Sequence, residues 1–378
     1  MSQAVLFTRE PVVNKKRAII ANRLIAHGSN VAAITETLNA ANEAWPGQYP
    51  VFLSLGRLIP TPDLMDWRAP PNAYVEIPAQ TLGHPWTQAL LPLLQEAGIG
   101  TCLTWYTQGT VLPPDVDWEF ILIDGNKHPN PGGAPGLYLA WGLPDMAAFK
   151  QAIASGYAGA SGWFFLNTPL PAEKLAPNHA QIIRLLNLVR NNGEVREIED
   201  VLKQDVVLSY KLLRHINSPC SGLKVEIQSF RHAVSVLGYI NLHKWLSLLL
   251  VTASCDSGAP AMMQTAIVRG WFLEQIGTHF FDEAGCENLF ITGAFSMLGI
   301  LLGTSMQTIL DEMLLPKAVI DALLYNEGDY AQFLRLACAC ESFNPDALIE
   351  AADKLQLAPE QINHAQLMAL SFADSLQK

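Results

Sequence analysis

Charge is scarce in this chain: only 16% of its 378 residues are Asp, Glu, Lys or Arg, and 35 acids against 24 bases give a formal net charge of −11. Chains that wrap nucleic acid or lie on anionic lipid need the opposite balance, so both are excluded as main partners. Paired cysteines are also missing. The six (Cys102, Cys220, Cys255, Cys286, Cys338, Cys340) are scattered, which suits neither a disulfide framework nor a zinc site. None of the nine histidines has another three or four residues away. The most apolar stretches, Trp245 to Ala253 and Phe290 to Leu302, fall short of the ~18 residues a membrane helix needs. There is no P-loop, no G-x-G-x-x-G and no G-x-S-x-G elbow, which removes the usual phosphate cradles and serine nucleophiles. The opening MSQAVLFTRE has no basic segment followed by an apolar one, so export is not expected and a cytoplasmic protein is.

What is present divides into two halves. Of the 24 prolines 17 lie before residue 171, as do seven of the nine tryptophans. Strand-length runs recur there (Arg17 to Leu24, Tyr49 to Leu55, Ala73 to Ile77, Gly100 to Trp105, Phe120 to Asp124, Gly136 to Ala140). Helical patterns stand between several of them: Asn30 to Glu43 behind the cap candidate Ser29, Trp86 to Ala97, and Pro144 to Ala154. Such alternation predicts a largely parallel sheet, either a (β/α) barrel or a doubly wound sheet. Downstream of LNTPLPAEKLAPN the strand signals nearly vanish and apolar residues recur at i, i+3 and i+4. The spacing predicts an α/β domain over 1–168 and an all-helical domain over 169–378.

Few residues carry chemistry. His279 and Asp282 are three apart at an expected helix end, and CAC at Cys338 to Cys340 has no matching second pair; surface and core roles suit them better than metal binding. Ser296 is expected inside a helix, where its hydroxyl bonds back to a carbonyl. PNPGGAPG at 129–136 reads as a loop. Only Glu76 and Asp124 are carboxylates in the expected strands, too sparse a set for metal-assisted phosphoester hydrolysis.

The run from Leu202 to Leu250 resembles the signature of the HDOD domain, an HD-related output domain. It carries D-x-x-L-x-x-x-L-L, N-S-x-x-x-G, I-x-S and A-x-x-x-L-G on Asp205, Leu212, Leu213, Asn217, Ser218, Gly222, Ile227, Ser229, Ala233, Leu237 and Gly238. That domain is similar to metal-dependent HD phosphohydrolases, whose His-Asp pair falls here on Ser296 and Met297. Another ligand histidine of the hydrolases falls in IVRGWF, where no histidine stands between Ile267 and Phe272. A hydroxyl and a thioether do not replace imidazole and carboxylate on a di-metal centre.

The first half resembles an EAL domain, the (β/α) barrel that cleaves cyclic di-GMP with two divalent ions, in the tandem EAL-HDOD arrangement of bacterial signalling proteins. The resemblance places Arg23 at the motif's glutamate, Ser54 at the asparagine ligand and Glu76 at a retained acid. Thr104 and Trp105 fall on an Asp-Asp pair, Leu122 on the lysine and Asp124 on the aspartate of K-x-D. Trp141 falls on a further glutamate and Ser161 on a glutamine. Of nine positions only Glu76 and Asp124 keep the family residue. A span from Arg23 to Ser161 is short for a barrel of ~250 residues, so trimming of one or more strand–helix units is expected.

The resemblances together imply a degenerate, TIM-like EAL barrel joined to an HDOD domain. The expected function is that of a non-enzymatic signalling adaptor acting through protein contacts, with no cofactor and no metal. Its expected partners are signalling proteins, a second copy of the chain being one candidate. The alternative is a sensor that binds a cyclic dinucleotide without cleaving it, through stacking on Trp105 or Trp141.

Overall fold

A computed structural model describes residues 4–128, 132–167, 177–203, 230–252 and 260–375, with residues 216 and 227 between them. The chain opens with a hairpin of β1 (Leu6–Asn14) and β2 (Ile19–His27). The basic turn NKKRA folds back because Asn14 Oδ1 accepts the backbone N–H of Lys16 (2.9 Å) and of Ala18 (3.1 Å), an Asx-type turn. The register sets Glu10 opposite Arg23. From β2 onward each strand runs parallel to the one before it: β3 (Val51–Ser54), β4 (Ala73–Pro78), β5 (Gly100–Thr104), β6 (Phe120–Asp124), β7 (Leu137–Trp141) and β8 (Gly159–Ser161). β8 then pairs antiparallel with β1, and the eight strands close into a barrel.

The barrel fits into so short a span because its helices, not its strands, are pared down. α1 (Val31–Ala41) links β2 to β3, α2 (Pro85–Glu96) links β4 to β5, and α3 (Met146–Ala154) links β7 to β8. A 3₁₀ turn, Pro62–Asp66, serves between β3 and β4. Among the described residues no α-helix follows β5 or β6. The expected loss of whole strand–helix units is therefore corrected. The cap of α1 is corrected too: Asn30, in extended conformation, accepts the Ala33 N–H at 2.8 Å, and Ser29 lies one residue outside.

Alternation along the strands layers the interior. Phe52, Tyr74 and Phe120 meet at ring-centroid distances of 4.8 to 5.8 Å. Phe52 also belongs to an apolar core with Val12, Ala21, Cys102, Leu122 and Leu139. Two residues further along β2, β3, β4 and β5, toward their C-terminal ends, the inward positions become polar with Arg23, Ser54, Glu76 and Thr104. That end is where a (β/α) barrel assembles its chemistry.

The chain divides into two compact units, 1–168 with 338–371, and 169–337 with 372–378. Residues 338–371, expected in the helical domain of 169–378, thus group with the barrel. The reason lies in helix α14 (Pro359–Ser375), whose side chains complete backbone bonds of β1. Asn363 accepts from Phe7 N–H at 3.0 Å and donates to Val5 C=O at 2.8 Å, and Gln366 donates to Phe7 C=O at 2.9 Å. Arg9 adds a buried ion pair to Glu341 at 2.6 Å. Helix periodicity alone does not reveal such polar contacts.

The second unit is helical. It contains α4 (Pro177–Arg190), α5 (Val195–Lys203), α6 (Phe230–Thr252), α7 (Pro260–Gly277), α8 (Glu283–Phe295), α9 (Leu298–Leu302), α10 (Met306–Asp311) and α11 (Lys317–Tyr325). Helix α12 (Asp329–Cys340) and α13 (Pro345–Lys354) precede α14. α6 is kinked at Gly238, whose φ of 71° only glycine adopts freely, and so joins the two helices expected on either side of it. By length and composition alone His232–Thr252 is apolar enough to cross a membrane, yet half of an 18-residue window within it is buried in the protein; a core helix passes the same test. α7 and α8 approach closely through glycines, since a Cβ on Gly293 would lie 2.6 Å from Arg269 O.

Candidate functional site at the barrel mouth

The polar layer centres on an arginine in an ion triad. Arg23 on β2 donates Nη2 to Glu76 Oε2 on β4 at 2.8 Å and Nε to the other oxygen of the same carboxylate. Its Nη1 reaches Glu10 Oε2 on β1 at 3.0 Å, and that oxygen also accepts from Ser161 Oγ on β8 at 3.1 Å. All four residues are buried. Guanidinium-to-carboxylate forks are the strongest ion pairs side chains make, because two parallel charge-assisted bonds fix the geometry. The two carboxylates hold the Arg23 guanidinium firmly protonated, while burial pushes the Glu10 carboxyl up despite Arg23 beside it. Among the described residues Glu10 Oε1 has no hydrogen-bond partner. Cys102, opposite Glu76 in the register, is a neutral thiol whose pKa burial raises strongly.

The remaining positions of the resemblance do not join the triad by hydrogen bond. Ser54 and Thr104 are buried, and Leu122 is part of the apolar core. Asp124 stands on β6 with Lys127 Nζ at 3.2 Å, and its Oδ1 accepts the Asn126 N–H at 3.1 Å. Trp105 and Trp141 pack edge to face, 4.4 Å between centroids. Trp105 is 45% exposed and has φ of 56°, a conformation uncommon and costly for a bulky residue.

Two divalent ions do not fit this donor set. Of the two retained carboxylates Glu76 is engaged by the buried Arg23 and Asp124 stands apart from it beside the exposed Lys127, and the other positions offer hydroxyls, an aliphatic chain and two indoles. Hard cations take clusters of carboxylate and carbonyl oxygens. Glu10 is the residue sequence reasoning missed. The turn alone does not reveal it: beside the turn Val13 pairs with Ile19, and a bulge between Val12 and Val13 shifts the register so that Glu10 faces Arg23.

In the helical unit, Ser296 caps the end of α8 and does not sit mid-helix as expected, although its hydroxyl does donate back to Gly293 C=O at 2.7 Å. It accepts from Arg269 Nη1 of α7 at 3.0 Å, and Met297 is buried beside it. Asp282, the other expected helix-end residue, caps α8 by accepting the Gly285 N–H at 2.9 Å. Ala233, Leu237 and Gly238 of the HDOD signature lie in α6, and Ile227 is buried. Asp205, Leu212, Leu213, Asn217, Ser218, Gly222 and Ser229 lie outside the described residues.

Comparison with known proteins finds a family for the helical part of the chain. Residues 175–314 match the HDOD domain family. The chain is 29% identical over 206 residues to the cyclic di-GMP phosphodiesterase CdgJ of Vibrio cholerae, covering 54% of this chain and 48% of that protein. It is 26% identical over 245 residues to the uncharacterized protein YuxH of Bacillus subtilis, covering 64% and 59%. A solved chain from Shewanella amazonensis SB2B, named for a metal-dependent phosphohydrolase, is 17% identical with a TM-score of 0.40 and covers 55% of this chain and 93% of its own. The chain thus spans about half to three-fifths of the length of the two curated relatives it matches. A TIM-like barrel precedes a helical region that matches the HDOD domain family.

Proposed function

We propose that this chain is a non-hydrolysing signalling adaptor: a degenerate EAL-like barrel serving as a platform for an HDOD domain, acting through contacts with signalling proteins in the cytoplasm. The observation that carries the proposal is the Arg23 triad. A metal-dependent diesterase needs cations free to bind water and a phosphoryl oxygen. Here the cation is a side chain that has no open coordination position and cannot deprotonate water. The relative CdgJ bears the name of a cyclic di-GMP phosphodiesterase; in this chain we infer that the reaction is lost and the scaffold kept. A second copy of the chain is among the candidate partners.

A second reading, a sensor that binds a cyclic dinucleotide without cleaving it, draws on one observation, the exposed Trp105 braced against Trp141. Indole faces stack on bases. Against it, two phosphates need basic groups, and in this layer Arg23 is buried between Glu10 and Glu76, with Lys127 beside Asp124. Incubating the purified chain with cyclic di-GMP and magnesium or manganese, then chromatographing the mixture, is expected to show no linear product above a metal-free blank. Product would overturn the adaptor reading. A saturable heat of binding without product would replace it by the sensor reading.

A further inference from the structure

We propose that the Arg23 guanidinium is a built-in replacement for a divalent cation, neutralising Glu10 and Glu76 inside the barrel and making the fold of this unit independent of metal. Glu10 and Glu76 come from β1 and β4, strands that are not neighbours in the sheet, and both are buried. Two carboxylates held together in a desolvated interior repel each other unless a cation lies between them. Arg23 is that cation, with contacts to both.

The stoichiometry is that of a cation site and not of a simple ion pair. Two carboxylates converge on one guanidinium, the Ser161 hydroxyl donates to one of them, and among the described residues Glu10 Oε1 is left buried without a hydrogen-bond partner. An oxygen set of this kind suits a hard divalent ion once the guanidinium is removed. In the helical unit an arginine's bond is to a hydroxyl and not to two carboxylates. The resemblance puts a metal-binding pair at Ser296 and Met297 and a histidine within 267–272, and there Arg269 donates its guanidinium to Ser296. The inference shares only the triad with the adaptor reading: a native chain that is indifferent to metal yet cleaves cyclic di-GMP would sink that reading and leave this one standing.

The test is thermal unfolding of the full chain, followed by tryptophan fluorescence, in excess chelator and in millimolar manganese. Seven of the nine tryptophans lie before residue 171, so the signal reports mainly the barrel. The native midpoint is expected to be the same in both solutions. Arg23→Ser is expected to melt lower in chelator and to regain several degrees with manganese. Arg23→Ser combined with Glu76→Gln is expected to regain nothing, and Arg23→Lys to stay indifferent to metal. Should Arg23→Ser fail to fold in chelator, refolding from denaturant in manganese alone supports the proposal, and failure in both solutions overturns it. A native midpoint raised by manganese overturns it as well, as does an Arg23→Ser midpoint that manganese leaves unmoved.

Discussion

Arg23 is readable in the sequence as a substitution but not as an interaction. Its place in IIANRLIAH marks a charge inside an apolar strand, and a buried charge needs a partner. Which partner depends on register: Glu10 comes from the hairpin, while Glu76 arrives through two further parallel pairings that no local pattern announces. Removing one partner is costly because the other charge stays buried. Glu76→Ala is expected to destabilise the barrel by about 3–5 kcal/mol, whereas replacing Glu10, Arg23 and Glu76 together by apolar residues of similar volume is expected to be near neutral or stabilising. Urea unfolding followed by tryptophan fluorescence distinguishes the two. A second residue gives a pH prediction. Burial pushes the Asp374 carboxyl up to about 7, opposed only by the Gln264 amide that donates to it at 3.0 Å. The folded state then holds a proton that the unfolded chain releases near pH 4, so stability falls as pH rises from about 4 to 7, by up to about 4 kcal/mol. Asp374→Asn is expected to flatten this slope, read as the difference in urea midpoint between pH 5 and pH 8 by circular dichroism.

Length did not decide which elements were legible: the nine-residue β1 lies in none of the expected runs, while several shorter strands do. The runs Tyr49 to Leu55 and Phe120 to Asp124 contain β3 and β6, and Ala73 to Ile77 covers β4 up to its last residue, since strands buried on both faces are near-continuous apolar runs. β8 is three residues, Gly159–Ser161, too short to show any period. It closes the barrel nonetheless, and a Cβ at Gly159 would stand 2.4 Å from Val13 O. Gly159→Ala is therefore expected to cost about 1–3 kcal/mol through forced separation of β8 from β1. At the other end of β1, Asn363 of α14 satisfies a donor and an acceptor of the backbone. Asn363→Leu leaves both unpaired, at about 1–3 kcal/mol for each buried group. Hydrogen exchange is expected to show lost protection at Phe7 with β4 and β5 unchanged; uniform loss across the barrel would mean that α14 supports the whole sheet and not this one strand.

At the scale of the molecule, composition correctly separates a loop-rich α/β half from a helical one, and the HDOD match falls on the helical part. The grouping of residues 338–371 with the barrel was not legible, because a helical stretch late in the chain carries no mark of the core it joins. Partner choice is likewise a property of surfaces. Light scattering across concentrations decides whether a second copy is among the partners: a mass that stays at 41.4 kDa excludes it. The most direct measurement of the central claim, that an arginine stands where a catalytic barrel would hold metal, is titration of the native chain with manganese(II) monitored by electron paramagnetic resonance. The free-ion signal is expected to grow as it does in buffer alone. Saturable loss of that signal at one or two ions per chain, abolished by Glu76→Gln, would contradict it.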